Sequence, residues 1–282
     1  MSIAVDLPRP AIAANVAPPR RGHALLALVR QGVRDNRRAP LTWGGSLGVM
    51  CALIMALWPS IKDTTAKLVE SYPTGLKEAM GISQLDSAES FLNAEMLSLM
   101  LPLALGFFAV RCATRATAGA EDRGHLDTLL ALPLSRRSLV ASSFVVTGLV
   151  LAAVLAVTWV LTWVGGAIVG AGISASALAA GLASVWPLGM VFAGVAALAA
   201  GIVRRPATVT AIGAGTMVAT YLLDVAGKLA GAIEPLRAVS PFRWYGSAIQ
   251  DGLDVSHMLG LTLVAIALTC AGAQLFERRD VL

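Results

Sequence analysis

An all-α, polytopic membrane protein with six transmembrane helices is the fold this sequence predicts, and three observations predict it. The first is composition: 56% of the 282 residues are apolar and 14% are charged, with a mean hydropathy of +0.73. Soluble domains carry about 25% charged residues, so this chain lacks the charge that a wetted surface uses. The second is clumping. The apolar residues gather in uncharged runs, and about 20 such residues cross a bilayer. Residues 138–203 contain no charge at all, which is room for two spans and the turn between them. The third is the placement of basic residues. Six spans put both termini on one side, and 16 of the 22 Lys and Arg fall there, against 6 on the other. Such an excess marks the cytoplasmic face, so both termini are expected in the cytoplasm, with the plasma membrane as the location. The same asymmetry explains the net charge of +5 and the pI near 9.5 without nucleic acid.

Residues 1–22 carry Pro8, Pro10, Pro18 and Pro19 and an early Asp6. They lack the basic start and apolar core of a secretory signal and read as a disordered cytoplasmic tail. Residues 23–38 alternate at helical spacing. Leu25, Leu26, Leu28, Val29 and Val33 share one face, and Arg30, Arg34 and Asp35 another. This predicts an amphipathic interfacial helix on the inner membrane surface. Span one follows at 39–61, with Trp43 and Trp58 as interface anchors. Residues 62–89 are polar with an acid excess, as suits the outer side. Span two is expected at 90–110, and 111–137 returns to the cytoplasm. Span three at 139–163 and span four at 177–202 flank a glycine-rich hairpin at 165–176. Arg204, Arg205 and Pro206 make a tight basic turn before span five, at 207–223. Residues 224–254 contain Pro235, Pro241 and the cluster Phe242, Trp244, Tyr245. They are expected to dip into the outer leaflet without crossing. Span six at 255–276 and a cytoplasmic stub at 277–282 complete one transmembrane domain over 39–276.

Catalytic chemistry has little to stand on. The sequence contains no GxxxxGK[ST], HExxH or GxSxG pattern, and His23, His125 and His257 are dispersed. Cys51, Cys112 and Cys270 lie far apart and read as small buried apolar residues. The expectation is a non-catalytic subunit with no metal and no cofactor of its own. No pair of carboxylates sits deep in the spans at helical spacing, as a proton-driven transporter would usually show. Two polar candidates for a substrate path or outer gate remain. Glu95, near the outer end of span two, either lines a vestibule or sits at a solvated helix end. Asp224 and Lys228 are spaced to pair along a helix and to close the outer end of span five. The glycines crowding spans three to five point to close helix packing.

The most informative segment is RCATRATAGAEDRGHLDTLLALPLSRRSLVASSF, residues 111–144. Within it, Leu126, Leu129, Leu130 and Pro133 lie at spacings of three, four and seven. They form the apolar face of a short helix that fits the membrane plane or a groove on a partner. Glu121, Asp122, Arg123 and Asp127 supply its polar side, with Gly124 between them.

This segment resembles the first cytoplasmic loop of type-2 ABC exporter permeases. That loop has an acidic–basic cluster, Gly-Thr-Leu-Glu, a Leu-Leu pair, a small residue with Pro, and Ser-Arg. The matching residues are Glu121, Asp122, Arg123, Gly124, Leu126, Asp127, Leu129, Leu130, Pro133, Ser135 and Arg136. His125 replaces the family's Thr, Asp127 its Glu, and Ser143 stands where Lys is common. The plan of the whole chain is also similar: an elbow helix, six spans, a re-entrant segment before the last, and a basic stub. SPFRW (240–244) and ERRD (277–280) are similar to family patterns. The resemblance implies a cytoplasmic coupling helix at 121–133 and ATP-driven export of a lipophilic or amphipathic molecule such as a drug, antibiotic or lipid. It implies two copies of a separate ABC ATPase, which bind the ATP and Mg, and a second permease, identical or homologous. Membrane lipid is the remaining partner. The alternative is an ABC-type component that assists assembly or maturation of a cell-envelope complex without a transported substrate.

Overall fold

The computed structural model describes residues 21–71, 87–119 and 136–278. Every element among them is helical. Helix α1 (Arg21–Asp35) runs along the first half of α5 (Arg136–Ile168), with Gly32 against Val146. Its Arg30, Val33, Arg34 and Asp35 are exposed, while Leu25, Leu28 and Val29 are half-buried; Leu26 is exposed too.

A π turn (Pro40–Gly44) leads into α2 (Gly45–Ser71). Proline is tolerated there because the first helical N–H groups have no partner to lose. Span two differs from its expectation. It is not one straight helix but α3 (Ala88–Leu92) with a π turn (Asn93–Leu97), bent by 44° from α4 (Met100–Ala116). Pro102 has no N–H for the Ser98 carbonyl and its ring crowds that turn, so the helix breaks just before it.

Helix α5 has 33 residues, about 50 Å at 1.5 Å each, and outlasts a hydrocarbon core of about 30 Å. The hairpin after it is shorter than expected. Gly165 and Gly166 remain helical, because Gly165 packs directly on Ala52 of α2. The turn is made at 169–174, where Gly170 and Gly172 take positive φ of 66° and 75°. Helix α6 (Ala175–Ile202) returns, and α7 (Pro206–Leu229) runs six residues past the expected end of span five. Three short helices follow: a 3₁₀ helix (Gly231–Val239), α8 (Pro241–Tyr245) and α9 (Ala248–Asp251). Then α10 (Val255–Arg278) closes the chain.

Among the described residues, five helices are long and apolar enough to cross a membrane, and six if the bent pair α3–α4 counts as one span. Helix α6 is the centre. It packs against α4, α5, α7 and α10, and 78% of its most apolar window is buried, against 22–44% in the other four. Its closest neighbour is α10, where Gly194 lies opposite the Ala265 carbonyl and Gly201 opposite that of Gly272. A Cβ at either glycine would meet the oxygen at 2.8 Å, so small residues set this crossing, as in many membrane bundles. The outside of the bundle is apolar: Leu53, Leu57, Leu149, Val218, Leu222, Leu259 and Leu263 are all exposed. A contiguous apolar exterior is what lipid, rather than water, surrounds. The chain is a multi-pass membrane protein.

Two further expectations change. Trp58 is buried rather than exposed as an interface anchor, its ring tilted against Phe91 of α3 with centroids 5.5 Å apart. Cys51 and Cys112 are buried, whereas Cys270 is exposed, on a face of α10 that turns away from α6.

Candidate functional site

Polar side chains gather at the end of the bundle where α3 starts and α7 stops. Asp224 is the centre. It sits in the last turns of α7 and its side chain is only 4% exposed. A bare carboxylate in such a place is costly, so it needs charged partners. Lys228, one turn on, brings Nζ to 2.8 Å of Oδ2, which is the helical pairing the spacing predicted. Arg237 from the 3₁₀ helix donates its Nε to Oδ1 at 3.0 Å. These two partners allow α7 to continue past its acid to Leu229. Gly227 makes the second one reachable: the Arg237 side-chain stem lies where a Cβ at 227 would be. Neither Arg237 nor Gly227 is among the candidates read from sequence. Arg237 is 13 residues from Asp224, beyond any helical spacing rule, and Gly227 carries no signal except its place between Asp224 and Lys228.

The segment after the 3₁₀ helix is fastened to the rest of the bundle by polar contacts. Ser240 donates its hydroxyl to the Thr220 carbonyl at 2.7 Å and caps α8 by accepting from the Phe242 N–H. Phe242 packs against Phe192 of α6 and, edge-on, against Tyr221 of α7. The buried Tyr245 donates its hydroxyl to the Leu97 carbonyl at 3.0 Å. That oxygen lies at the break in span two, where helical bonding lapses. A buried carbonyl needs a partner, and Tyr245 supplies it. Gln250 links α9 to α3, accepting from Asn93 at 3.1 Å and donating to Ser90 at 2.9 Å. The segment therefore turns back onto α6 and α7 without crossing the bundle.

Glu95 is exposed on the π turn, apart from this cluster, and the structure brings it to neither Asp224 nor Lys228 by a hydrogen bond or ion pair. Glu121, Asp122, Arg123, Gly124, Leu126, Asp127, Leu129, Leu130 and Pro133 lie outside the described residues. Among the described residues, no group of three or more His, Cys, Asp or Glu could hold a metal ion.

Residues 29–277 match the family described as multidrug efflux system permease Rv1217c, C-terminal domain. The chain belongs to this family. The match runs from the middle of α1 to the last turn of α10, so it takes in the apolar bundle, the broken span and the Asp224 cluster together. No curated protein matches the chain. In this chain the cluster around Asp224 is one buried carboxylate held by two cations. It ties the end of one span to the segment that leads to the last.

Proposed function

We propose that this chain is the membrane-spanning permease subunit of a type-2 ABC exporter, which moves a lipophilic or amphipathic molecule outward. The observation that carries the reading is the family match along 29–277, to a permease described as a multidrug efflux system. The loop segment 121–133, with its acidic–basic cluster and Leu-Leu-Ala-Leu-Pro run, supports the ABC assignment independently. A subunit of this kind uses ATP only through a partner, so the complex contains two copies of an ABC ATPase and a second permease, identical or homologous. Both termini face the cytoplasm of the cell membrane in this reading. Leu126, Leu129 and Leu130 then fill a groove on the ATPase, with Glu121, Asp122, Arg123 and Asp127 as the rim. The Asp224, Lys228 and Arg237 cluster acts as an outer gate, and Glu95 faces the path of the transported molecule.

The test is co-purification. A tagged permease is expected to recover an ABC ATPase whose hydrolysis is stimulated by some members of a panel of lipophilic compounds. Apolar anchors carry most of an interface, so Leu129→Asp reduces ATPase recovery far more than Asp122→Ala at equal membrane levels. Recovery of the permease alone from membranes of its own host would overturn the assignment. Recovery and stimulation unchanged by Leu129→Asp would remove the coupling role from 121–133.

A further inference from the structure

Two cavities meet at Met258, the fourth residue of α10. One is an apolar groove of about 480 Å³ between α5 and α6. Its walls are hollow because alanines occupy successive turns of both helices: Ala152 and Ala156 on α5, Ala179 and Ala183 on α6. Trp159 and Trp186 line it with their rings. Their indole N–H groups are already spent on the carbonyls of Ala175 at 3.1 Å and Gly148 at 2.9 Å. The groove therefore offers only apolar surface and opens outward, with Ala152, Ala156 and Ala179 exposed. The second cavity, of about 200 Å³, lies between α8, α9 and the start of α10. Its lining is mixed: Arg243, Asp251, Asp254 and His257 supply charged or polar groups beside apolar residues such as Leu253 and Leu261.

The charges in the second cavity are unequal in availability. The Asp254 carboxylate is occupied. It accepts from the Ser256 hydroxyl at 2.6 Å and from the N–H groups of Ser256 and His257, and it lies 3.3 Å from the His257 ring. Those bonds, the Ser256 hydroxyl first, hold it below the usual carboxylate range. Trp244 sits edge-on to His257. Arg243 and Asp251 are different. Both are exposed, and among the described residues neither is held by an ion pair or a side-chain hydrogen bond. One positive and one negative group thus stand free around a cavity of mixed lining, at the mouth of an apolar groove.

We propose that the two cavities form one binding site for a zwitterionic phospholipid, with an acyl chain in the α5–α6 groove, the phosphate on Arg243 and the ammonium on Asp251. An anionic headgroup would satisfy Arg243 but meet Asp251 with like charge. An uncharged amphiphile would leave both groups unmatched. A lipid fits the position as well, because the groove opens on the apolar exterior of the bundle. The site stands apart from the transport reading and does not depend on an ATPase.

The test uses the purified full-length chain in detergent micelles, titrated with dibrominated phosphatidylethanolamine or dibrominated phosphatidylglycerol. Bromine quenches tryptophan at short range, and Trp159, Trp186 and Trp244 surround the site. Phosphatidylethanolamine is expected to quench saturably, at about tenfold lower concentration than phosphatidylglycerol, the worth of one charge-assisted contact. Asp251→Asn is expected to close that gap, and Arg243→Gln to weaken both lipids. Ala156→Phe fills the groove from its exposed side and abolishes the saturable phase. Helical content and elution volume establish that each variant is folded; Asp251 and Arg243 are exposed, so both bear substitution. Quenching that never saturates means an annular lipid only and overturns the proposal. So do equal affinities for the two lipids, or a preference that survives Asp251→Asn. Displacement of the bound lipid by an uncharged lipophilic compound at lower concentration would reassign the groove to that compound and overturn the lipid assignment.

Discussion

Two ion pairs stand at opposite ends of this bundle, and they differ in nearly everything except charge. At one end, Arg137 at the start of α5 reaches Glu277 at the end of α10, with side chains 62% and 42% exposed. At the other, Asp224 is 4% exposed and holds both Lys228 and Arg237. The first pair links two helices that already pack along their length, and water screens it. The second fastens a span to a short connecting segment and replaces the hydration that a buried carboxylate has lost. Burial, not the count of ion pairs, decides which of them the fold depends on.

The largest expected effect is therefore at Asp224. Asp224→Ala leaves Arg237 half-buried without its counter-charge, and breaking such a pair costs about 3–5 kcal/mol. Thermal unfolding in detergent should show it, and a loss comparable to an exposed variant would end the contrast between the two ends. Gly227→Ala tests how Arg237 is admitted. The new Cβ displaces the Arg237 stem and breaks its bond to Oδ1, at about 1.5–3 kcal/mol. In an Arg237→Ala background the same change should cost much less, and equal costs in both backgrounds would mean that Gly227 serves some other purpose. Tyr245→Phe leaves the Leu97 carbonyl unpaired at the break in span two. It is expected to destabilise by about 1–3 kcal/mol and to speed amide exchange around 93–99. The smallest effect is at the far end: Arg137→Ala should lower stability by no more than about 1 kcal/mol, and less still in high salt.

What the sequence reveals and what it hides divides along the same line. Spans one, three, four and six were legible because an uncharged run of sufficient length has few other uses. The i, i+4 spacing of Asp224 and Lys228 foretold their pairing. The bend in span two was not legible as a bend. Pro102 is visible, but whether a helix kinks, shifts or ends there depends on what satisfies the freed carbonyls. Beside the break, the Leu97 carbonyl is met by Tyr245, 148 residues along the chain. Arg237 and Gly227 escaped for the same reason: their significance is a distance in space. Trp58 was misplaced because a tryptophan near a span end reads as an anchor until a neighbour such as Phe91 is seen covering it. The 121–133 segment, which carries the main sequence argument for coupling, lies outside the described residues and stands on its pattern alone.

The crossing of α6 and α10 has a mechanical consequence. Where Gly194 and Gly201 meet the backbone carbonyls of Ala265 and Gly272, with the Leu268 and Leu275 side chains beside them, neither glycine has a side chain of its own to tilt or repack. Pulling them apart would open a void with nothing at hand to fill it, and turning either one would drive a side chain into the other's backbone. The pair is thus a stator. The helices that share least of their surface with the bundle are α2 and α7, with 28% and 22% of their apolar windows buried. The Asp224 latch sits on one of those two, and so fastens a helix that packing alone holds least.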